Sequence, residues 1–161
     1  MFTADTLKYP GFYRGKVLDN NDSDKLGRLK VQIFGIFDGI ASEDLPWAVP
    51  AFPLSVGAGI GFGLFTISEV DSYVWCFFKA GDYNQPVYFA EASDGVHGLP
   101  SERLIDYPNT HVLKTKNGIV ISINDKSESQ DITITHPGGA SVVIDNGGNI
   151  IITGNTIQLN P

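Results

Sequence analysis

The chain has 161 residues, 42% of them apolar, with a formal net charge of −7 and a pI near 4.7. That length and apolar share suit one compact domain, or a small domain with an appendage, and exclude wholesale disorder. An acidic balance of 18 Asp and Glu against 11 Lys and Arg argues against a grip on phosphate backbones, no run approaches the roughly 18 apolar residues of a membrane span, and a single cysteine excludes an internal disulfide.

The first residues, Met1-Phe2-Thr3-Ala4-Asp5, have neither a basic start nor an apolar run of signal-peptide length. Residues 1–10 are expected to be an N-terminal extension, and the single cysteine fits assembly in a reducing cytoplasm. From about residue 11 the chain reads as consecutive strands. Gly11–Leu18 is the first, followed by the polar turn Asp19–Lys25. Gly27–Gly35 is the second: Leu29, Val31 and Ile33 alternate with Arg28, Lys30 and Gln32, a period of two that marks a half-buried strand.

A loop from Asp38 to Pro53 carries Leu45-Pro46-Trp47-Ala48-Val49-Pro50. Gly57, Gly59, Gly61 and Gly63 follow. Their spacing lacks the Lys-Ser/Thr ending of a phosphate loop and does not match the dinucleotide fingerprint, so a bulged β-connection is expected. Leu64–Ser68, Ser72–Lys79 and Pro86–Ala90 read as further strands. Five or six short strands with glycine-rich corners, and no helical period, predict a small closed barrel. Cys76, between Trp75 and Phe77, reads as a small buried hydrophobe. Trp47, Trp75 and Tyr73 read mainly as core.

Beyond Tyr107 the character changes, because every aromatic residue lies at or before that position. Short β-branched units alternate with turns: Ile119–Ile123, Ile132–Ile134, Val142–Ile144, Ile150–Ile152 and Thr156–Leu159. The punctuating segments are Asn124-Asp125, His136-Pro137-Gly138-Gly139, Asn146-Gly147-Gly148 and Gly154-Asn155. Each unit offers an alternating apolar pair on one strand face. The pairs are Ile121 with Ile123, Ile132 with Ile134, Val142 with Ile144, Ile150 with Ile152, and Ile157 with Leu159. Strands this short enclose no core alone, so the tail is expected to pair with another copy of itself, and those ten side chains are the ones that the trimeric needle implied by the family resemblance given below would bring to its axis. Val143 and Ile151 fall out of phase with them. The competing reading is that these strands simply complete the first domain.

Other chemistry finds little support. Counted from Asp19, a calcium loop requires Gly at the sixth position and Glu at the twelfth, and the chain has Asp24 and Lys30. His97, His111 and His136 are scattered, and with one Cys they give no zinc spacing. No Gly-x-Ser-x-Gly elbow is present. Glu43 and Asp44 are adjacent, where strand neighbours point apart, which is no paired-carboxylate arrangement. No catalytic residue, metal ligand or cofactor is assigned.

The order Gly27-Arg28-Leu29-Lys30-Val31, Pro46-Trp47-Ala48, an aromatic strand, then Gly81-Asp82 through Gln85-Pro86-Val87-Tyr88 resembles a known family. It is similar to the oligonucleotide/oligosaccharide-binding (OB) barrel at the start of the central spikes of contractile-tailed phages, the baseplate assembly protein V type, and of type VI secretion. The resemblance covers residues from about 11 to 92. It implies an all-β chain: an N-terminal OB-fold barrel over 11–92, a linker over 93–115, and a short intertwined trimeric β-helix (β-prism) needle over 116–161. It implies a homotrimeric structural spike in the virion tail baseplate. The barrels would dock on a hub protein, the needle would make transient contact with the host envelope, and no nucleic acid would be bound. The stretch from Glu91 to Thr115 is too short for the lysozyme domain some relatives insert. The His-x-His metal apex of others is missing, and a separate tip protein is expected at the C-terminal end. The alternative is an OB binding module for glycan or single-stranded nucleic acid.

Overall fold

The computed structural model describes residues 8–52, 58–59, 61–96 and 98–159. The expectations for Met1–Asp5, Gly57, His97 and Pro161 lie outside those residues. The chain divides into two compact units, Met1–Gly98 and Leu99–Pro161. Both are all-β, with three single-turn 3-10 segments, Ser42–Asp44, Lys79–Gly81 and Ser101–Leu104, between the described strands.

In the first unit, β1 (Tyr13–Asp19), β2 (Leu29–Ile33), β3 (Trp47–Pro50), β6 (Tyr73–Phe78) and β7 (Pro86–Glu91) close into a barrel in the order β1-β2-β3-β7-β6. Closure is visible at Gly15, which sits opposite Ile33 on one side and Val74 on the other. The seal is the parallel pairing of β3 with β7, Val49 opposite Val87. Every barrel strand thus has two partners and no ladder is left open. Alternation places Val17, Leu29, Val31, Ile33, Val74 and Cys76 inside, with Leu45, Phe37, Phe78 and Tyr88 completing the core. A two-stranded ribbon, β4 (Ala58–Gly59) and β5 (Phe62–Gly63), lies in the glycine run.

Two sequence readings are corrected here. Leu64–Ser68 forms no strand: the closed barrel has no free edge to receive it. Trp47, Trp75 and Tyr73 are not core. Trp75 is 39% exposed, Tyr73 lies under the Arg14 guanidinium at 4.4 Å, and Trp47 lies against Arg28 and Lys30. The interior is filled by the aliphatic side chains with Phe37, Phe78 and Tyr88, while Tyr73 and Trp47 lie against the cationic groups of Arg14, Arg28 and Lys30.

The second unit is an antiparallel meander: β8 (Thr110–Lys114), β9 (Val120–Asn124), β10 (Asp131–Thr135), β11 (Ser141–Ile144) and β12 (Ile150–Thr153), each paired with the next in sequence. The intertwined arrangement implied by the resemblance takes each strand's neighbours from other chains. Here the backbone ladders are made within one chain, because turns of a few residues return each strand beside its predecessor. The fifth strand, β8, lies in the stretch expected to be linker. Thr156–Leu159, expected as the last strand, forms none.

Candidate functional site

The register of the meander decides which side chains share a face. Ile121 sits opposite Leu113 and Ile134, Ile134 opposite Val142, and Val142 opposite Ile152. One pleat over, His111 sits opposite Ile123, then Ile132, Ile144 and Ile150 follow in line. Two parallel rows of β-branched side chains therefore cross the sheet on a single face. All eight strand residues singled out from the sequence lie in these rows, and each is 38% to 68% exposed. The remaining two, Ile157 and Leu159, follow the last strand and are 52% and 87% exposed.

Val143 and Ile151 face each other and belong with Thr133, Ser122 and Val112 on the opposite face. They are opposite-face positions of the same regular ladder. Leu113 and His111 were missed by sequence reasoning. Their strand, Thr110-His111-Val112-Leu113-Lys114, alternates, but Thr, His and Lys obscured its apolar period. Leu113 alone extends the first row to a fifth strand.

A contiguous apolar face exposed on a folded unit is the kind of surface that interaction sites use. Its lateral margins are grooved. One groove is lined by Ile119, His136, Ala140, Gly154 and Ile157, and the other by Ile123, Asp125, Gln130, Ile144 and Asp145.

The residues that shape the barrel are structural in their chemistry. The Asp22 carboxylate is buried and fully engaged. Its Oδ2 accepts from Leu26 N at 2.9 Å, Arg28 Nε at 3.1 Å and Arg28 N at 3.3 Å, while Oδ1 accepts from Arg28 Nη2 at 2.5 Å and Asp24 N at 3.1 Å. The acidic turn is therefore organised by its own Arg28, and its central oxygens are already satisfied by chain donors. Among the described residues no group of three His, Cys, Asp or Glu is placed to hold a metal.

Gly27, with φ +76°, turns the chain into β2, and a Cβ there would meet Phe65 at 3.2 Å. Its carbonyl accepts the Tyr88 hydroxyl at 2.6 Å, and burial pushes the Tyr88 hydroxyl up to about 12. The Lys30 ammonium donates to the carbonyls of Leu45 and Glu43 and lies 4.7 Å from the Trp47 ring. These contacts join the Gly27–Val31, Pro46–Ala48 and Gln85–Tyr88 segments around one end of β2. Cys76 is fully buried, and desolvation raises its thiol to about 12. No thiolate nucleophile is available there. Glu43 and Asp44 are exposed in the 3-10 turn Ser42–Asp44.

The Asp22 cluster has a consequence in acid. The Arg28 hydrogen bonds hold the Asp22 carboxyl far below its ordinary 3.8, with backbone donors adding to the effect and burial opposing it. The unfolded chain then binds the proton more readily, so Asp22 contributes stability above about pH 4 that is lost as pH falls toward its folded value. Asp22→Asn is expected to lower the melting temperature at pH 7 and to flatten part of the acid-side decline. Thermal melts at pH 7 and pH 3 measure both. An unchanged neutral melt with an undiminished acid slope contradicts the assignment.

Residues 13–91 match the family described as the Type VI secretion system/phage-baseplate injector OB domain. That span runs from the first residue of β1 to the last residue of β7, and so coincides with the closed barrel. No curated protein matches the chain.

Proposed function

With its barrel a member of the Type VI secretion system/phage-baseplate injector OB domain family, we propose that the chain is a homotrimeric central spike component of a contractile tail baseplate. The family supplies the coarse role, a structural domain of an injection baseplate. The finer reading rests on one observation: the nine-residue apolar face, Leu113 included, that the meander leaves uncovered. In this reading three copies bring those faces together on a common axis. The core is formed by Ile121, Ile123, Ile132, Ile134, Val142, Ile144, Ile150 and Ile152, with Ile157 and Leu159 extending it. Burying each such side chain contributes roughly 1.5–3 kcal/mol. Only the part still exposed, 38% to 68% of each residue, is gained on closure, and eight such residues per chain set that apolar gain against the ~4–15 kcal/mol that association costs in lost freedom of motion.

The role is mechanical. Three sheets sharing one core make a stiff prism, which carries the thrust of contraction to the host envelope while the barrels dock on the hub. A tip partner at the far end is supported by β12. It is one of the two edge strands of the sheet, and its Ile151, on the face away from the proposed core, is 49% exposed. An apolar edge strand of this kind takes on a further strand.

The solution mass of the whole protein by light scattering tests this reading. The expected result is three chain masses, retained in mild detergent, and a monomer at micromolar concentration rejects it. A glycan or single-stranded nucleic acid module would instead show saturable binding in a calorimetric titration, and the spike reading expects none.

A further inference from the structure

Ten strand positions make up the two rows on the exposed face of the meander, and nine of them are Leu, Ile or Val. The tenth is His111, exposed on β8 and opposite Ile123. Among the described residues no side-chain hydrogen bond or ion pair engages its imidazole. Its neighbours on that face are aliphatic: Leu113 along β8, and Ile121 and Ile123 across on β9. The elements packed against β8 are β9 and the 3-10 turn Ser101–Leu104, and their charged groups are engaged elsewhere. Lys114 and Asn124 occupy opposite-face positions. Lys114 pairs with Glu102 at 2.6 Å, and Asn124 donates to Asp106, which holds Lys126 at 2.5 Å. Arg103 donates to the carbonyls of Leu99 and Pro100. Asp125, Asp131 and Asp145 line the groove beside Ile123, Ile132 and Ile144. Hydrogen bonds from Asn149 hold Asp145 below the ordinary carboxylate range. Asp125 is exposed, where the attraction of a carboxylate for a cation is screened by water.

Histidine is the ordinary side chain that changes charge between pH 5 and 8. On the free chain a protonated His111 is hydrated. When the rows of three copies close, the same ring leaves water among aliphatic side chains. A neutral imidazole has one donor and one acceptor, which a neighbouring copy can satisfy. The cation loses its hydration instead, and three cations brought toward one axis repel one another. We propose that His111 makes association of the carboxyl-terminal sheet pH-sensitive: the sheets close with the imidazole neutral and open when it takes up a proton. The open chain binds that proton more readily than the closed one. Association is therefore complete above the imidazole range and is lost as pH falls through it. The switch rests on the trimer reading and adds to it the proton as an effector.

Sedimentation of the whole protein between about pH 7.5 and about pH 5.5 tests it. Three copies take up as many as three protons on opening, so association is expected to weaken ~100-fold or more over that range. His111→Leu, aliphatic like the rest of its row, is expected to associate equally at both ends. His111→Gln, polar but without a charge to gain, is expected to lose the pH dependence as well. The other described histidine is His136, whose Nδ1 accepts from Gly138 N at 3.0 Å. His136→Asn and His97→Gln are the controls, and each is expected to keep the wild-type pH dependence. Circular dichroism at both ends checks that the strands are kept, in a range where the Asp22 carboxylate remains charged. If the wild type is a trimer of equal affinity at both ends, the His111 switch is wrong and the trimer stands. The same holds if His111→Leu and His111→Gln keep the pH dependence, or if a control abolishes it. If the wild type is monomeric at the upper end, both fall.

Discussion

Ile134→Asp is expected to convert the associated protein to monomers while leaving the barrel folded. Ile134 is central on the exposed face, opposite Ile121 on β9 and Val142 on β11. In the free chain it is 44% exposed, so a carboxylate there is hydrated and costs the monomer little. In the assembly the same carboxylate must leave water without a cation on its face, at several kcal/mol per copy. Over three copies, a loss of about 6 kcal/mol or more removes at least four decades of association constant. Light scattering reads the mass, and near-ultraviolet dichroism reads the barrel, which holds both tryptophans, Trp47 and Trp75. Ser122→Asp is the matched control, the same charge on the same sheet but on the opposite face, and is expected to keep the mass. Loss of association in Ser122→Asp but not in Ile134→Asp would place the interface on the other face.

Gly15→Ala is expected to destabilise the barrel by about 2–3 kcal/mol, within the range for overpacked cores. Gly15 faces inward on β1, between β2 and β6. A Cβ there would meet Val31 Cγ1 at 2.5 Å, the Gln32 carbonyl oxygen at 3.0 Å and Ile33 Cα at 3.2 Å. The first atom belongs to a side chain and the others to backbone, so the strand itself must move. For a domain of this size the loss lowers the melting temperature by about 8–24 °C. Adding Val31→Ala removes the closest clash, so the double variant should lose less than the sum of the two single losses. A Gly15→Ala protein that melts with the wild type would mean that β1 and β2 are not in this close contact.

The barrel strands were legible because apolar and polar side chains alternate along them, even in β2, where Lys30 on the polar face is buried too. Leu29, Val31 and Ile33 against Arg28, Lys30 and Gln32 fix both the strand and its inner side, since the side-chain period of a strand is two. The same logic placed the apolar pairs of the tail on one face. It failed where burial depends on what is left for a segment to pair with. Leu64–Ser68 has a strand-like composition, but the barrel closed without it. Thr110–Lys114 looked like a connection, yet it adds a strand to the open side of β9. The fate of the large aromatics was likewise invisible. Whether Trp47 fills a core or covers Arg28 and Lys30 depends on how much volume the closed barrel encloses.

By itself the sequence determined that the chain is all-β, that its aromatic first part and β-branched second part are different units, and which apolar side chains of the second part share a strand face. Those are local properties, set by turn residues and by alternation along one strand. Only the tertiary structure decided that the tail's ladders are made within one chain, that β8 belongs to the sheet, and that the apolar pairs of successive strands line up in two rows on one face. These depend on register between strands far apart in sequence, and no single strand carries that information.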